Sequence, residues 1–258
     1  MGRGRNGPGK RLFPACSLST TMKAVLFDLG HTLIDYYHDW SGPEERIVSR
    51  LHRLAMEAGG RMQEPEFRRS VLEILRQNRD RKAQDMVEIP LERVLESIFG
   101  SAGCDWDESL VQDGLELFYE ALREDRSLVP GTAEMLERVR EKGYSIGLIS
   151  DVAWGLPSEY PLRDIRHFGL DRYFDDMIFS SDVGLRKPNP RMFKMAMLNL
   201  GVGRDEAMYV GNSLQADIRG ARAVGIRAVL KRSGYFQPDD SIVPDHTVDD
   251  WKELDGLL

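Results

Sequence analysis

Three apolar runs in this 258-residue chain end in polar residues that could do chemistry. Lys23 to Asp28 (KAVLFD) ends in a carboxylate and is followed by Gly30. Tyr144–Ser150 (YSIGLIS) ends in a hydroxyl, with Asp151 next. Ala207–Val210 runs into Gly211-Asn212, with a further acid at Asp217. A fourth segment, Lys187-Pro188-Asn189-Pro190, offers an ammonium just before a helix. Short apolar runs of this kind suit buried parallel strands, whose carboxyl ends share one edge, where ligands of such sheets sit. A carboxylate, a hydroxyl, an ammonium and a second acid in one pocket suit phosphoryl transfer. The carboxylate attacks phosphorus to give an aspartyl-phosphate, while a lysine and a Mg²⁺ ion neutralise the transferring oxygens.

The elements that must position these residues follow from hydrophobic period. After Pro130-Gly131 the chain predicts a helix over Thr132–Lys142, a strand over Tyr144–Ser150 and a short strand over Met177–Ser180. A helix over Pro190–Leu200, a strand over Ala207–Val210, a helix over Leu214–Val224 and a strand over Arg227–Leu230 complete the series. Alternation of this kind gives a parallel sheet covered on both faces. Between about Ser41 and Arg126 the apolar residues instead recur every three or four positions (Ile47, Leu51, Leu54; Phe67, Val71, Ile74, Leu75; Leu91, Val94, Leu95, Ile98; Leu110, Leu115, Phe118, Leu122). Four amphipathic helices punctuated by Pro65, Pro90 and 100–105 read as a bundle. The expected fold class is α/β: a Rossmann-like core of 22–38 plus 128–258 with a helical-bundle cap, 39–127, inserted into it.

FDLGHTL, LISD, RKPNP and VGNSLQAD, in that order, resemble the four motifs of the haloacid dehalogenase superfamily, and LVPGTAEMLERVREKGY and ADIRGARAVG resemble its framing segments. The resemblance runs from Met22 to the C-terminus, with the cap placed as in the capped, C1-type subgroup. It implies a Mg²⁺-dependent phosphatase of a small phosphorylated metabolite. Asp28 would be the nucleophile and a metal ligand, Ser150 would bind a phosphoryl oxygen, and Lys187 would neutralise both. His31, Thr32 and Asp151, the last standing where the family has Asn, join the expected phosphate contacts. The metal would take Asp28, the Gly30 carbonyl, and Asn212 or Asp217, since the family's Gly-Asp-x4-Asp here reads Gly211-Asn212-x4-Asp217.

The departure with the largest consequence is Gly30. The family's phosphatases carry a second Asp there, two residues after the nucleophile, as acid and base. Removing a positioned acid–base costs about 10²–10⁴-fold, so the alternative is a weakened protein that binds a phosphorylated ligand or a protein partner without turnover. His31 is the nearest replacement donor, set against a role in ordering the loop. Dehalogenation would call for Tyr at position 30. Phosphonate hydrolysis would call for a cap lysine, and Lys82 is the only one, read here as part of a solvated run, Arg79-Asp80-Arg81-Lys82. A phosphomutase would need the missing Asp.

Composition sets the bounds. At 41% hydrophobic and 30% charged residues the chain is an ordinary globular protein. A net charge of −7 argues against binding nucleic acid through phosphate neutralisation. No run approaches the roughly 18 apolar residues of a membrane helix. Cys16 and Cys104 form no metal or redox spacing, so a reducing, cytoplasmic setting is expected. Residues 1–21 hold Arg3, Arg5, Lys10 and Arg11 and no acid. They read as a solvated basic tail or the product of an upstream start, with Met22 opening the first strand, and they lack the amphipathic stripe of a transit peptide. No oligomeric state is read from the sequence.

Overall fold

The computed structural model describes residues 21–235 and 237–258; the basic tail and Cys16 lie outside them. The chain opens with β1 (Ala24–Phe27) and a short β2 (Ile34–Asp35). Four helices follow: α1 (Ser41–Glu57), α2 (Glu64–Asp85), α3 (Leu91–Ala102) and α4 (Glu108–Arg123). A two-residue β3 (Ser127–Leu128) pairs antiparallel with β2, so the chain leaves and rejoins the sheet region side by side. Then come α5 (Thr132–Glu141), β4 (Ser145–Ser150), α6 (Glu159–His167), β5 (Asp176–Phe179), α7 (Ser180–Val183), α8 (Pro190–Asn199) and β6 (Ala207–Gly211). A π-helical turn, Leu214–Ile218, leads into α9 (Arg219–Val224), and β7 (Arg227–Lys231), β8 (His246–Val248) and α10 (Trp251–Leu254) close the chain.

The larger sheet is parallel throughout, in the order β5-β4-β1-β6-β7-β8. The α/β class expected from sequence is the one observed. Its two faces are read off by alternation. Val25, Phe27, Ile146, Leu148, Met208 and Val210 pack on the side that carries α5, α10 and the four-helix segment. Leu26, Ile149, Ala207 and Tyr209 pack on the other, against Met192, Phe193 and Ala196 of α8 and Ala221 of α9. One continuous hydrophobic cluster joins β1 to residues of α1, α2, α3 and α4.

Some local readings change. The helix expected over Leu214–Val224 begins as a π turn. Ser213 is its N-cap, and the Ser213 carbonyl takes both the Asp217 and the Ile218 amides, at 2.9 and 3.1 Å. The wider turn lets the Asp217 carboxylate fold back on the Ser213 amide, at 2.9 Å. Helix α6 has no counterpart in the sequence reading; its Pro161 sits in the first turn, where a missing N–H costs nothing. Lys82 is not part of a solvated run. It continues the Phe67, Val71, Leu75 stripe of α2 and is buried, with Nζ 2.6 Å from Glu88 Oε1 and 2.7 Å from the Trp154 carbonyl.

Candidate active site

The carboxyl ends of β1, β4 and β6 bring Asp28, Ser150 and Asn212 to one edge, and the turn before α8 adds Lys187. The Lys187 ammonium is the hub. Its Nζ lies 2.5 Å from Asp28 Oδ1, 2.8 Å from Asp217 Oδ1 and 3.1 Å from the Ile149 carbonyl. Tyr209 OH, 3.1 Å from that nitrogen, donates to Asp217 Oδ1 at 2.9 Å. Asp28 is fixed from the other side by the Thr32 hydroxyl, which donates to Oδ2 at 2.8 Å. Asp151 accepts the Lys187 backbone amide at 3.0 Å and so sets the turn that aims the ammonium. Ser150 is buried, and its hydroxyl has one long contact, 3.5 Å to the Asp151 carbonyl.

The charges do not cancel. Two buried carboxylates, Asp28 and Asp217, face one buried ammonium. Burial pushes the Asp28 carboxyl up to about 6, against the pull of Lys187. Burial opposes the charge on Lys187 as well, but Asp217 and Asp28 outweigh it and raise its pKa. Burial also raises Asp151, with Arg186 and Lys187 pulling the other way.

A cation suits this excess of negative charge. Asp217 has little left to give one: Oδ1 serves Lys187 and Tyr209, and Oδ2 the Ser213 amide. Its close approach depends on Gly211, where a Cβ would stand 2.5 Å from the Asp217 carboxyl carbon. Asn212 is placed otherwise. Its amide nitrogen donates to Ser233 Oγ at 3.2 Å, which turns Oδ1 to within 3.5 Å of the Thr32 hydroxyl beside Asp28. With Asp28, and with the Gly30 carbonyl that the sequence resemblance adds, it would make an all-oxygen donor set, the kind Mg²⁺ takes.

Gly30 follows directly on the Asp28-Leu29 step, and a Cβ built on it meets nothing within 4 Å. The room for the absent side chain is there. The next residue, His31, is engaged by Asp35: its Nδ1 lies 2.6 Å from Asp35 Oδ1, and burial lowers its pKa. Sequence reasoning missed Tyr209, whose hydroxyl is hidden in an apolar strand, and Arg186, a visible cation beside Lys187. Arg186 bonds the Val152 carbonyl at 3.1 Å and pairs with Glu88, joining the site to the helical segment. Surface depressions of about 370 and 420 Å³ lie along α1/α4 and beside α5; neither is lined by a residue of the Asp28 cluster.

A family model described as haloacid dehalogenase-like hydrolase matches residues 22–225. A glyceraldehyde 3-phosphate phosphatase of Methanopyrus kandleri is 29% identical over 243 residues, 90% of this chain and 95% of that protein. A phosphoserine phosphatase of Thermus thermophilus is 35% identical over 127 residues, 49% of each chain. Among solved structures, a HAD phosphatase from Thermococcus onnurineus superposes with a TM-score of 0.64 at 27% identity, covering 92% of this chain and 97% of that one.

Proposed function

Since this chain belongs to the haloacid dehalogenase-like hydrolases, we propose that it is a Mg²⁺-dependent phosphatase of a small phosphorylated metabolite, working through an aspartyl-phosphate on Asp28. The observation that carries the reading is the Lys187 ammonium held between Asp28 and Asp217, at 2.5 and 2.8 Å, at the carboxyl edge of the sheet. Relatives named for glyceraldehyde 3-phosphate and phosphoserine support the phosphate ester and argue for a small substrate.

In this mechanism Asp28 Oδ2, steadied by Thr32, attacks phosphorus, and the ester oxygen leaves. Lys187 compensates the carboxylate before attack and the phosphoryl charge during it. The Ser150 hydroxyl donates to a phosphoryl oxygen, and Thr32, Asp151 and the His31 loop line the same cradle. Asp217 and Tyr209 hold Lys187 in place. Asp28, the Gly30 carbonyl and Asn212 would hold Mg²⁺, which neutralises phosphoryl charge. Water then cleaves the acyl phosphate and frees Asp28. Gly30 brings no proton to the leaving group. His31 is a poor replacement as a proton donor, because burial lowers its pKa and leaves little of the ring protonated at neutral pH. Segment 39–127 we assign as the cap that selects the substrate over a core of 22–38 plus 128–258. No helix among the described residues is long and apolar enough to cross a membrane; among the same residues Cys104 is a buried thiol without a disulfide partner, and we place the enzyme in the cytoplasm.

A second reading, binding without turnover, is favoured by Gly30 alone. A panel of phosphate esters assayed for phosphate release with Mg²⁺, beside Asp28→Asn, separates the two. Release by the wild type and none by the variant is the result expected. No release from any ester, with retained binding, would leave the second reading standing.

A further inference from the structure

Outside the Asp28 cluster, three side chains of the segment that carries the chain from β1 toward α1 converge on one point. His31 Nδ1 lies 2.6 Å from Asp35 Oδ1, and His38 Nε2 lies 3.2 Å from Asp35 Oδ2. One donor atom from each of the three lies within 4.8 Å of the other two. We propose that His31, Asp35 and His38 bind a divalent transition-metal ion of the zinc class, at a site separate from the one that would take Mg²⁺.

The donor chemistry sets the two sites apart. Two imidazoles and a carboxylate suit zinc, cobalt or nickel, whereas Asp28, the Gly30 carbonyl and Asn212 offer hard oxygens alone. Three protein ligands leave a tetrahedral ion one position for water. A second element builds the wall behind the rings. Tyr235, in the loop after β7, stacks on His31 with centroids 4.3 Å apart and planes at 14°. Gly234 of the same loop presses so close that a Cβ there would stand 2.4 Å from His38 Cε1. Both imidazoles are therefore held in place from outside their own segment. Access is graded as well: the His31 side chain is 9% exposed, Asp35 34% and His38 47%, so an ion reaches the site from the His38 side.

Protons balance without an acid or base from elsewhere. Hydrogen bonds from His31 and His38 hold the Asp35 carboxyl below its usual range against the effect of burial. An ionised carboxylate only accepts, so each ring donates the N–H that faces it. An arriving ion takes those two positions, and each ring's proton passes through water to its other nitrogen. Both rings stay neutral and no net proton is released. The ion then ties the loop that follows Asp28 to β2 and to the stretch leading into α1.

Co²⁺ titration followed by its visible absorption, with excess Mg²⁺ present throughout, tests the site on the whole protein. Wild type and Asp28→Asn should each bind one equivalent of Co²⁺ with the strong absorption of a tetrahedral ion, and Zn²⁺ should bleach it. His38→Ala and Asp35→Asn should weaken binding by at least about tenfold, since even loss of a ligand's supporting partner costs that much. His38 is half-exposed, so its variant keeps the fold. Absorption that survives in His38→Ala and disappears in Asp28→Asn would place the ion at the Asp28 cluster and overturn the proposal. So would wild-type protein that gives no such spectrum.

Discussion

Asp28 is a carboxylate that the fold holds against its own preference for water. At about 6 against an ordinary 3.8, its ionised form costs up to about 3 kcal/mol of stability in the metal-free protein. The folded pKa lies above the unfolded one, so Asp28 favours folding below about pH 4 and loses that contribution as pH rises through about 6. Asp28→Asn, which carries no charge at any pH, should therefore be the more stable protein at pH 7.5 in EDTA, by 1 to about 3 kcal/mol. The gap should close near pH 4. Urea denaturation at the two pH values checks it; a variant less stable at pH 7.5 would mean that Lys187 depends on Asp28 more than Asp28 suffers from burial. Gly30 gives the companion experiment. Without a proton at the departing oxygen, rate should fall steeply as leaving-group pKa rises, so acyl and aryl phosphates should outrun alkyl ones. Nothing stands within 4 Å of a Cβ at Gly30, so Gly30→Asp should be accommodated and raise turnover of poor leaving groups by up to about 10²–10⁴-fold. Steady-state rates across aryl and alkyl phosphates read this out, and a flat wild-type dependence would show that another group supplies the proton.

At the scale of elements, what the sequence showed was periodic and what it hid was pairwise. The strands that end in Asp28, Ser150 and Asn212 were legible because buried parallel strands are continuous apolar runs, and α1 to α4 because their buried faces repeat every three or four residues. Spacing left Asn212 and Asp217 as alternatives, and it could not show that a π turn at Leu214–Ile218 and the close approach at Gly211 bind Asp217 to Lys187, Tyr209 and the Ser213 amide. Lys82 was misread because two outward arginines hid its place on the inner stripe of α2. Asp164 is the plainest case of a hidden pair. Fully buried on α6, it accepts from Tyr36 OH at 3.0 Å and Tyr119 OH at 2.8 Å and pairs with Arg126. It thus ties α6 to α4 and to both stretches that join the helical segment to the sheet, and no periodicity announces it. Asp164→Ala strands the mostly buried Arg126 without its partner. Removing one member of a buried pair costs about 3–5 kcal/mol, and the loss should appear in urea denaturation with the slope unchanged. A cost under about 1 kcal/mol would mean that Arg126 reaches water once released.

For the whole molecule, the site as it stands is shut. Asp28, Ser150, Lys187 and Asn212 are all buried, so a phosphate ester can reach them only through a local opening; with 39–127 proposed as the cap, movement of the helical segment would supply it. The structure joins that segment to the sheet region at a second place besides Asp164. Between α2 and α3, Glu88 is 1% exposed in its side chain and pairs with Lys82 and Arg186, while Ser180 Oγ donates to it. The backbone follows: the Glu88 amide donates to Gly184 at 3.1 Å, Arg186 to Met86 at 3.0 Å and Leu91 to Gly155 at 2.9 Å. Opening this junction brings two cations and a carboxylate into water together, which is far less costly than separating them in the protein interior. The junction can therefore act as a latch that releases locally, below the free energy of global unfolding. Glu88→Gln removes the charge but keeps the shape, leaving Lys82 and Arg186 with a neutral partner. Amides of Glu88, Leu91 and Arg186 should then exchange with deuterium at least about tenfold faster, as a loss near 1.4 kcal/mol dictates. Amides of β1, β4 and β6 should keep their wild-type rates. Equal acceleration in the strands would show that the substitution loosens the whole fold, and unchanged rates at all three junction amides would show that packing of α1 to α4, rather than Glu88, holds the helical segment in place.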